Sequence, residues 1–126
     1  ITTNATVAPD ARASAFFTAR QPGILSGIAV AEAAFRALDD TVEFAALKND
    51  GDGLSPGDRI ARVDGSARAL LTGERVALNF LGRMSGIATL TRRYADAVEG
   101  TRAVIADTRK TTPGLRAFEK YAVRCG

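Results

Sequence analysis

The 126-residue chain has no histidine and one cysteine, Cys125. A lone thiol closes no internal disulfide, which fits a reducing, cytoplasmic compartment. Zinc sites of the usual kind and histidine-based triads are excluded within these residues. Long hydrophobic runs are missing as well: the longest nearly uncharged stretch, Ile24 to Phe35, includes Glu32 and falls far short of a membrane span. Aromatics are scarce at 6%. Those in the C-terminal half (Phe80, Tyr94, Phe118, Tyr121) are spaced for packing rather than as a base-stacking platform, which weighs against nucleic acid. No internal repeat is visible.

What is present is an ordinary globular balance, 46% apolar and 25% charged, in a chain long enough for about one core. The net charge of +3 conceals an asymmetry. Residues 1–64 carry six basic and nine acidic side chains, net −3, and residues 65–126 carry eleven and five, net +6. A basic half is either a solvated face or a field that draws phosphates or carboxylates. The chain opens on Ile1 without a signal segment and closes on Cys125-Gly126 straight after a helical pattern, so it reads as an interior piece of a longer protein.

Short apolar runs either side of Gln21-Pro22-Gly23 predict two strands around a turn. Ile28, Ala31, Phe35 and Leu38 fall at helical spacing. Val42 and Phe44 alternate with Thr41 and Glu43 as in a strand, residues 48–58 have loop composition, and Arg59 to Val63 reads as a strand closed by an Asp64-Gly65 turn. A helix capped by Thr72 follows, with Val76, Phe80 and Met84 as its apolar stripe and Leu81 beside it. Ser85-Gly86 interrupts it, and a second helix carries Ile87, Leu90, Tyr94 and Val98 to a stop at Gly100. Ala103 to Ala106 is wholly apolar, the pattern of a parallel strand buried on both faces, and Leu115 to Val123 is helical.

A buried strand running into a charged loop and then a helix is where α/β barrels hold ligands. The loop here offers Thr108, Arg109 and Lys110. Arginine can grip a carboxylate or phosphate with two parallel hydrogen bonds, and lysine adds a compact charge. Asp107 reads as a carboxylate that orients Arg109 or caps the loop. Asp50, Asp52 and Asp58 lack the acidic twelfth position of a calcium loop and read as a surface turn. Arg92-Arg93 and the stripe Arg116, Lys120, Arg124 read as solvated or pairing faces, and Cys125 has no base to activate it.

Two long segments carry a resemblance. Leu71-Thr72-Gly73-Glu74-Arg75-Val76-Ala77-Leu78-Asn79-Phe80-Leu81, with Met84-Ser85-Gly86-Ile87-Ala88-Thr89, resembles the quinolinate phosphoribosyltransferases, also called carboxylating nicotinate-nucleotide pyrophosphorylases. So does Asp107-Thr108-Arg109-Lys110-Thr111-Thr112-Pro113-Gly114-Leu115-Arg116, running on through Glu119-Lys120-Tyr121-Ala122-Val123-Arg124. The opening Ile1-Thr2-Thr3 is similar too, and the likeness is strongest from Leu70 onward. It implies an α/β fold: an α+β open-faced sandwich domain over residues 1–85, then the first unit of an α/β barrel over 86–126.

The resemblance further implies that quinolinate and phosphoribosyl pyrophosphate are joined to nicotinate mononucleotide, with pyrophosphate and CO2 released and Mg2+ present, in NAD biosynthesis. It implies a homodimer with shared sites, or a higher oligomer. Arg75 would then hold quinolinate from the partner subunit, Thr108 and Arg109 would hold it from the barrel side, and Lys110 would lie near phosphoribosyl pyrophosphate. A dianion and a polyphosphate suit a half-chain of net +6. The family continues with further glycines, a His-Arg pair, another lysine, acidic residues near metal and ribose, and phosphate loops that these residues do not include, so this piece alone is expected to be inactive. Two alternatives stand beside it. One is the molybdate-transport-associated relative of the same fold. The other is a biotinyl- or lipoyl-like module suggested by Gly57-Asp58-Arg59-Ile60-Ala61 and the Asp64-Gly65 turn, although the turns here have no lysine to modify.

Overall fold

The computed structural model describes residues 2–126; Ile1, where the N-terminal resemblance opens, lies outside them. A short helix α1 (Thr2–Thr6) leads to strand β1 (Arg12–Thr18), the two-residue β2 (Gly23–Ile24), helix α2 (Ile28–Arg36), β3 (Glu43–Ala46), the two-residue β4 (Gly53–Leu54), β5 (Arg59–Ser66), a long helix α3 (Ala67–Ala97) and helix α4 (Arg116–Cys125). The fold is mixed α/β. β1, β5 and β3 form an antiparallel sheet in the order β1-β5-β3, while β2 pairs with β4. The strands flanking Gln21-Pro22-Gly23 therefore exist, but they belong to different sheets.

Side-chain alternation gives the main sheet one covered and one open face. Phe17, Ala61 and Val63 turn inward against Phe35 of α2 and Leu70, Ala77 and Leu81 of α3. Phe17, Phe35 and Phe44 form the aromatic centre, with ring centroids 5.9–6.4 Å apart. On the open face Arg62 pairs with Asp64, and the Arg59 guanidinium lies 4.2 Å from the centre of the Phe16 ring. The acidic loop behaves as a turn: Asp52 and Asp58 accept from the nearby amides of Asn49 and Ser55. Asp50 does more. Its Oδ1 accepts from the Gly27 and Ile28 amides at 2.9 and 3.1 Å, a cap for α2 borrowed from a distant loop because Gly27 has no side chain to give one.

Several expectations are corrected. Asp64-Gly65 is no turn: β5 runs through it, Asp64 lying opposite Ser14 on one side and Glu43 on the other. The hairpin tip that a biotinyl-like module needs is thereby absent. Thr72 is not the helix cap. Ser66 is, with its hydroxyl accepting from the Ala69 amide, and Thr72 instead donates to the Arg68 carbonyl inside the helix. Ser85-Gly86 does not interrupt α3, which continues for 31 residues.

The buried stripe of α3 is Leu70, Gly73, Ala77, Leu81, Met84 and Ala88. Val76 lies 48% exposed, and Leu90 and Tyr94 are exposed too. Small residues at 73 and 77 let α2 come close, to the point that a Cβ on Gly73 would sit 2.8 Å from Phe35 Cδ1.

Residues 103–106 form no ladder, and Val104 is 86% exposed. A parallel strand draws its hydrogen bonds from neighbours, and among the described residues no strand pairs with this segment. α4 then returns to α3: Phe118 packs on Phe80 at 5.1 Å, and Arg92 Nε donates to the Gly126 carbonyl at 2.6 Å. Since 118 meets 80 and 126 meets 92, α4 runs parallel to α3, and the segment between them travels back along it.

Candidate functional site

The 107–112 loop leaves the extended segment and turns into α4, and α4 holds it at several points. Arg116 Nε donates to the Thr111 hydroxyl at 3.0 Å and its Nη2 to the Arg109 carbonyl at 3.2 Å. Lys120 Nζ pairs with Asp107 at 2.6 Å. Glu119 accepts from the Thr112 amide at 3.1 Å and pairs with Arg83 of α3. Arg83 also donates to the Thr112 hydroxyl at 2.6 Å. Positions 116, 119 and 120 share a helix face because three- and four-residue steps bring side chains together.

These contacts wall a concave site of about 410 Å³ lined by Arg83, Asp107, Thr108, Lys110, Glu119 and Lys120, among others. Two of its three cations are neutralised internally, Lys120 by Asp107 and Arg83 by Glu119. Among the described residues no carboxylate pairs with Lys110 or with the neighbouring Arg109. The Arg83 hydrogen bond and those from Thr112 hold the Glu119 carboxyl below the usual carboxylate range, so it is an anion that only accepts. The Thr108 hydroxyl accepts from the Lys110 amide at 3.1 Å, leaving its own proton to give. Such a loop can take up a carboxylate or phosphate: two unpaired cations and a hydroxyl, fixed in shape by neighbours.

The structure thus brings Thr108 and Lys110 to one cavity with Arg109 on the same loop; Arg109 is exposed rather than part of the cavity wall. Asp107 does not orient Arg109; it pairs with Lys120. Arg116 is committed to the loop, and Arg124 lies 5.6 Å from the centre of the Tyr121 ring. Arg75 lies apart, exposed on α3, eight residues or about 12 Å along the helix axis before Arg83. Sequence reasoning missed Arg83 and the clamping role of Glu119. The 116-119-120 spacing could have exposed Glu119, whereas nothing local marks Arg83, whose role depends on how α3 and α4 pack.

A second polar cluster lies on another side of α4. Tyr121 donates to Asp50 Oδ2 at 2.8 Å, and the buried Ser26 contacts Cys125 at 3.3 Å. The Asp50 bond, with burial and the carboxylate charge, pushes the Tyr121 hydroxyl up to about 12.

Among the described residues no helix is long and apolar enough to cross a membrane. Residues 1–85 match the family model for the N-terminal domain of quinolinate phosphoribosyl transferase, and residues 87–126 match that for its C-terminal domain. A probable carboxylating nicotinate-nucleotide pyrophosphorylase of Bacillus subtilis is 50% identical over 108 residues, covering 86% of this chain and 37% of the relative. A decarboxylating quinolinate phosphoribosyltransferase of Nicotiana tabacum is 44% identical over all of this chain and 35% of its own length. The solved structure of NadC from Streptococcus pyogenes superposes with a TM-score of 0.95 at 46% identity, covering 99% of this chain and 45% of that one. The chain thus spans between a third and a half of these proteins' lengths.

Proposed function

The chain belongs to the quinolinate phosphoribosyl transferase family, and on that premise we propose that it supplies the opening part of a site joining quinolinate to phosphoribosyl pyrophosphate. The products are nicotinate mononucleotide, pyrophosphate and CO2, as a step of NAD biosynthesis. The observation that carries this reading is the 107–112 loop, in which Lys120 of α4 takes up the charge of Asp107 while, among the described residues, no carboxylate pairs with Arg109 or Lys110. Arg109 grips a quinolinate carboxylate with two parallel hydrogen bonds, Thr108 donates its hydroxyl to the same substrate, and Lys110 faces the phosphates. Arg75 reaches the acid from a partner subunit in a homodimer or a higher oligomer. The part up to residue 85 faces the partner's site, and residues 86–126 begin the barrel.

Positive charge develops on the ribose as pyrophosphate leaves, so the cations belong on the leaving group and the acid, away from the ring. Asp107 and Glu119 are each already paired with a cation. These residues therefore do not fit the Mg2+ that the resemblance implies. The free thiol of Cys125 accords with a cytoplasmic, reducing setting. The relatives named above are called after the quinolinate reaction, which favours this reading over the molybdate-associated one.

The test is a chimera in which this chain replaces the matching segment of the Bacillus subtilis relative. Formation of nicotinate mononucleotide and CO2 that depends on both quinolinate and phosphoribosyl pyrophosphate is expected. A folded chimera without that activity would overturn the proposal.

A further inference from the structure

Glu119 is an anion beside a site built for anions, and that position calls for an explanation. Its charge repels the substrate proposed above, so it does not bind that substrate directly. Its side chain is only 15% exposed, against 45% for Arg83, and both oxygens are engaged. One accepts from the Thr112 amide at 3.1 Å. The other accepts from Arg83, which in turn donates to the Thr112 hydroxyl at 2.6 Å. Glu119 is thus the point at which α3, α4 and the end of the anion-binding loop are tied together. It also neutralises Arg83, a cation that lines the same cavity as Lys110.

We infer that Glu119 is a positioning residue: it fixes the exit of the 107–112 loop through Thr112 and silences Arg83, so that an incoming dicarboxylate is registered on Thr108, Arg109 and Lys110. The inference rests on the proposed quinolinate reading for the identity of that anion, but not for the tether itself. Small misplacements of a binding group cost far more than their size suggests, because alignment is lost along with contact. Removing the tether should therefore act on substrate capture more than on the chemical step.

Two measurements test it. In the unliganded chain, amide hydrogen exchange reports how firmly the loop is held. Glu119→Ala should speed exchange at Thr112 and across 108–112 by about tenfold, whereas Glu119→Gln, whose amide oxygen still accepts from Thr112, should stay within about threefold of the parent. In the active chimera, Glu119→Ala should raise the quinolinate KM about tenfold or more with kcat within about threefold, and Glu119→Gln, which keeps the Thr112 tether but leaves Arg83 without a counter-charge, should recover only part of the loss. Unchanged exchange in the alanine variant overturns the tether. Faster exchange with an unchanged KM in an active enzyme overturns the positioning role. A kcat loss that tracks a fall in melting temperature and is not rescued by glutamine makes Glu119 merely structural. If the parent chimera is inactive while exchange still responds to Glu119→Ala, the tether stands and the quinolinate reading is what fails.

Discussion

Arg109 and Lys110 differ from the nearby Arg83 and Lys120 in one respect: among the described residues no carboxylate neutralises them. Arg109→Lys keeps the charge and removes the planar fork, so any loss reports geometry. Quinolinate affinity in the chimera should fall about ten- to hundredfold by calorimetry, the scale of one charge-assisted hydrogen bond. The melting temperature without ligand should barely move, because the side chain is exposed. Unchanged affinity with a large fall in melting temperature would assign Arg109 to structure.

Tyr121 makes a separate prediction. Its hydroxyl titrates near 12 in the folded chain against an ordinary 10. A group whose pKa is raised by folding adds stability fully below its unfolded value, and that contribution is lost as pH climbs through the folded one. The difference in urea midpoint between the parent and Tyr121→Phe should therefore be steady below pH 10 and shrink between pH 10 and 12. A gap that stays constant across that window would contradict the Tyr121–Asp50 bond.

Among the elements, α3 separates what the sequence discloses from what it hides. Its helical character, its end near Gly100 and the inward Met84 were legible in the spacing, while Leu81, read as lying beside the stripe, is buried with it. The continuity of α3 was not legible. Ser85-Gly86 looks like a break because serine and glycine favour turns, yet the Ser85 hydroxyl is taken up by a distant partner, accepting from the Ser26 amide at 3.0 Å and donating to its carbonyl at 3.3 Å. The buried stripe was misplaced for a related reason. Periodicity is read from large residues, whereas the α2–α3 contact is made through Gly73 and Ala77, whose smallness is the signal. Asp64-Gly65 failed because strands on both sides of β5 outweigh a local turn preference.

The basic loop that carries Thr108, Arg109 and Lys110 was legible in the sequence, since an apolar segment, charge and helix succeed one another along the chain. The Arg83–Glu119 clamp needs tertiary packing to exist. Two glycine replacements test the description of α3. Gly86→Ala adds a methyl group to open space and should stabilise by about 0.5–1 kcal/mol. Gly73→Ala drives a methyl group into Phe35 and should cost about 1–3 kcal/mol. Denaturant melts that ranked the two the other way would refute both the helix continuity and the packing.

At the scale of the molecule, charge and exposure point outward. The basic half carries the loop, the open sheet face lies on the acidic half, and α3 leaves Leu71, Val76 and Leu78 exposed around the stretch that bears Arg75. Arg75 lies about 12 Å along α3 from the residue that touches its own loop, and the proposed shared site rests on that separation. The central claim, a quinolinate site shared between subunits, is tested most directly by mixing. Chimeras carrying Arg75→Ala and Arg109→Ala should each be inactive alone. Random exchange of subunits between them gives mixed dimers in which one site carries both defects and the other neither. Nicotinate mononucleotide formation should then return to about a quarter of the parent level when half the dimers are mixed. Differently tagged subunits that demonstrably form mixed dimers yet restore no activity would show that Arg75 and Arg109 serve the same chain's site, and the shared-site account would fall.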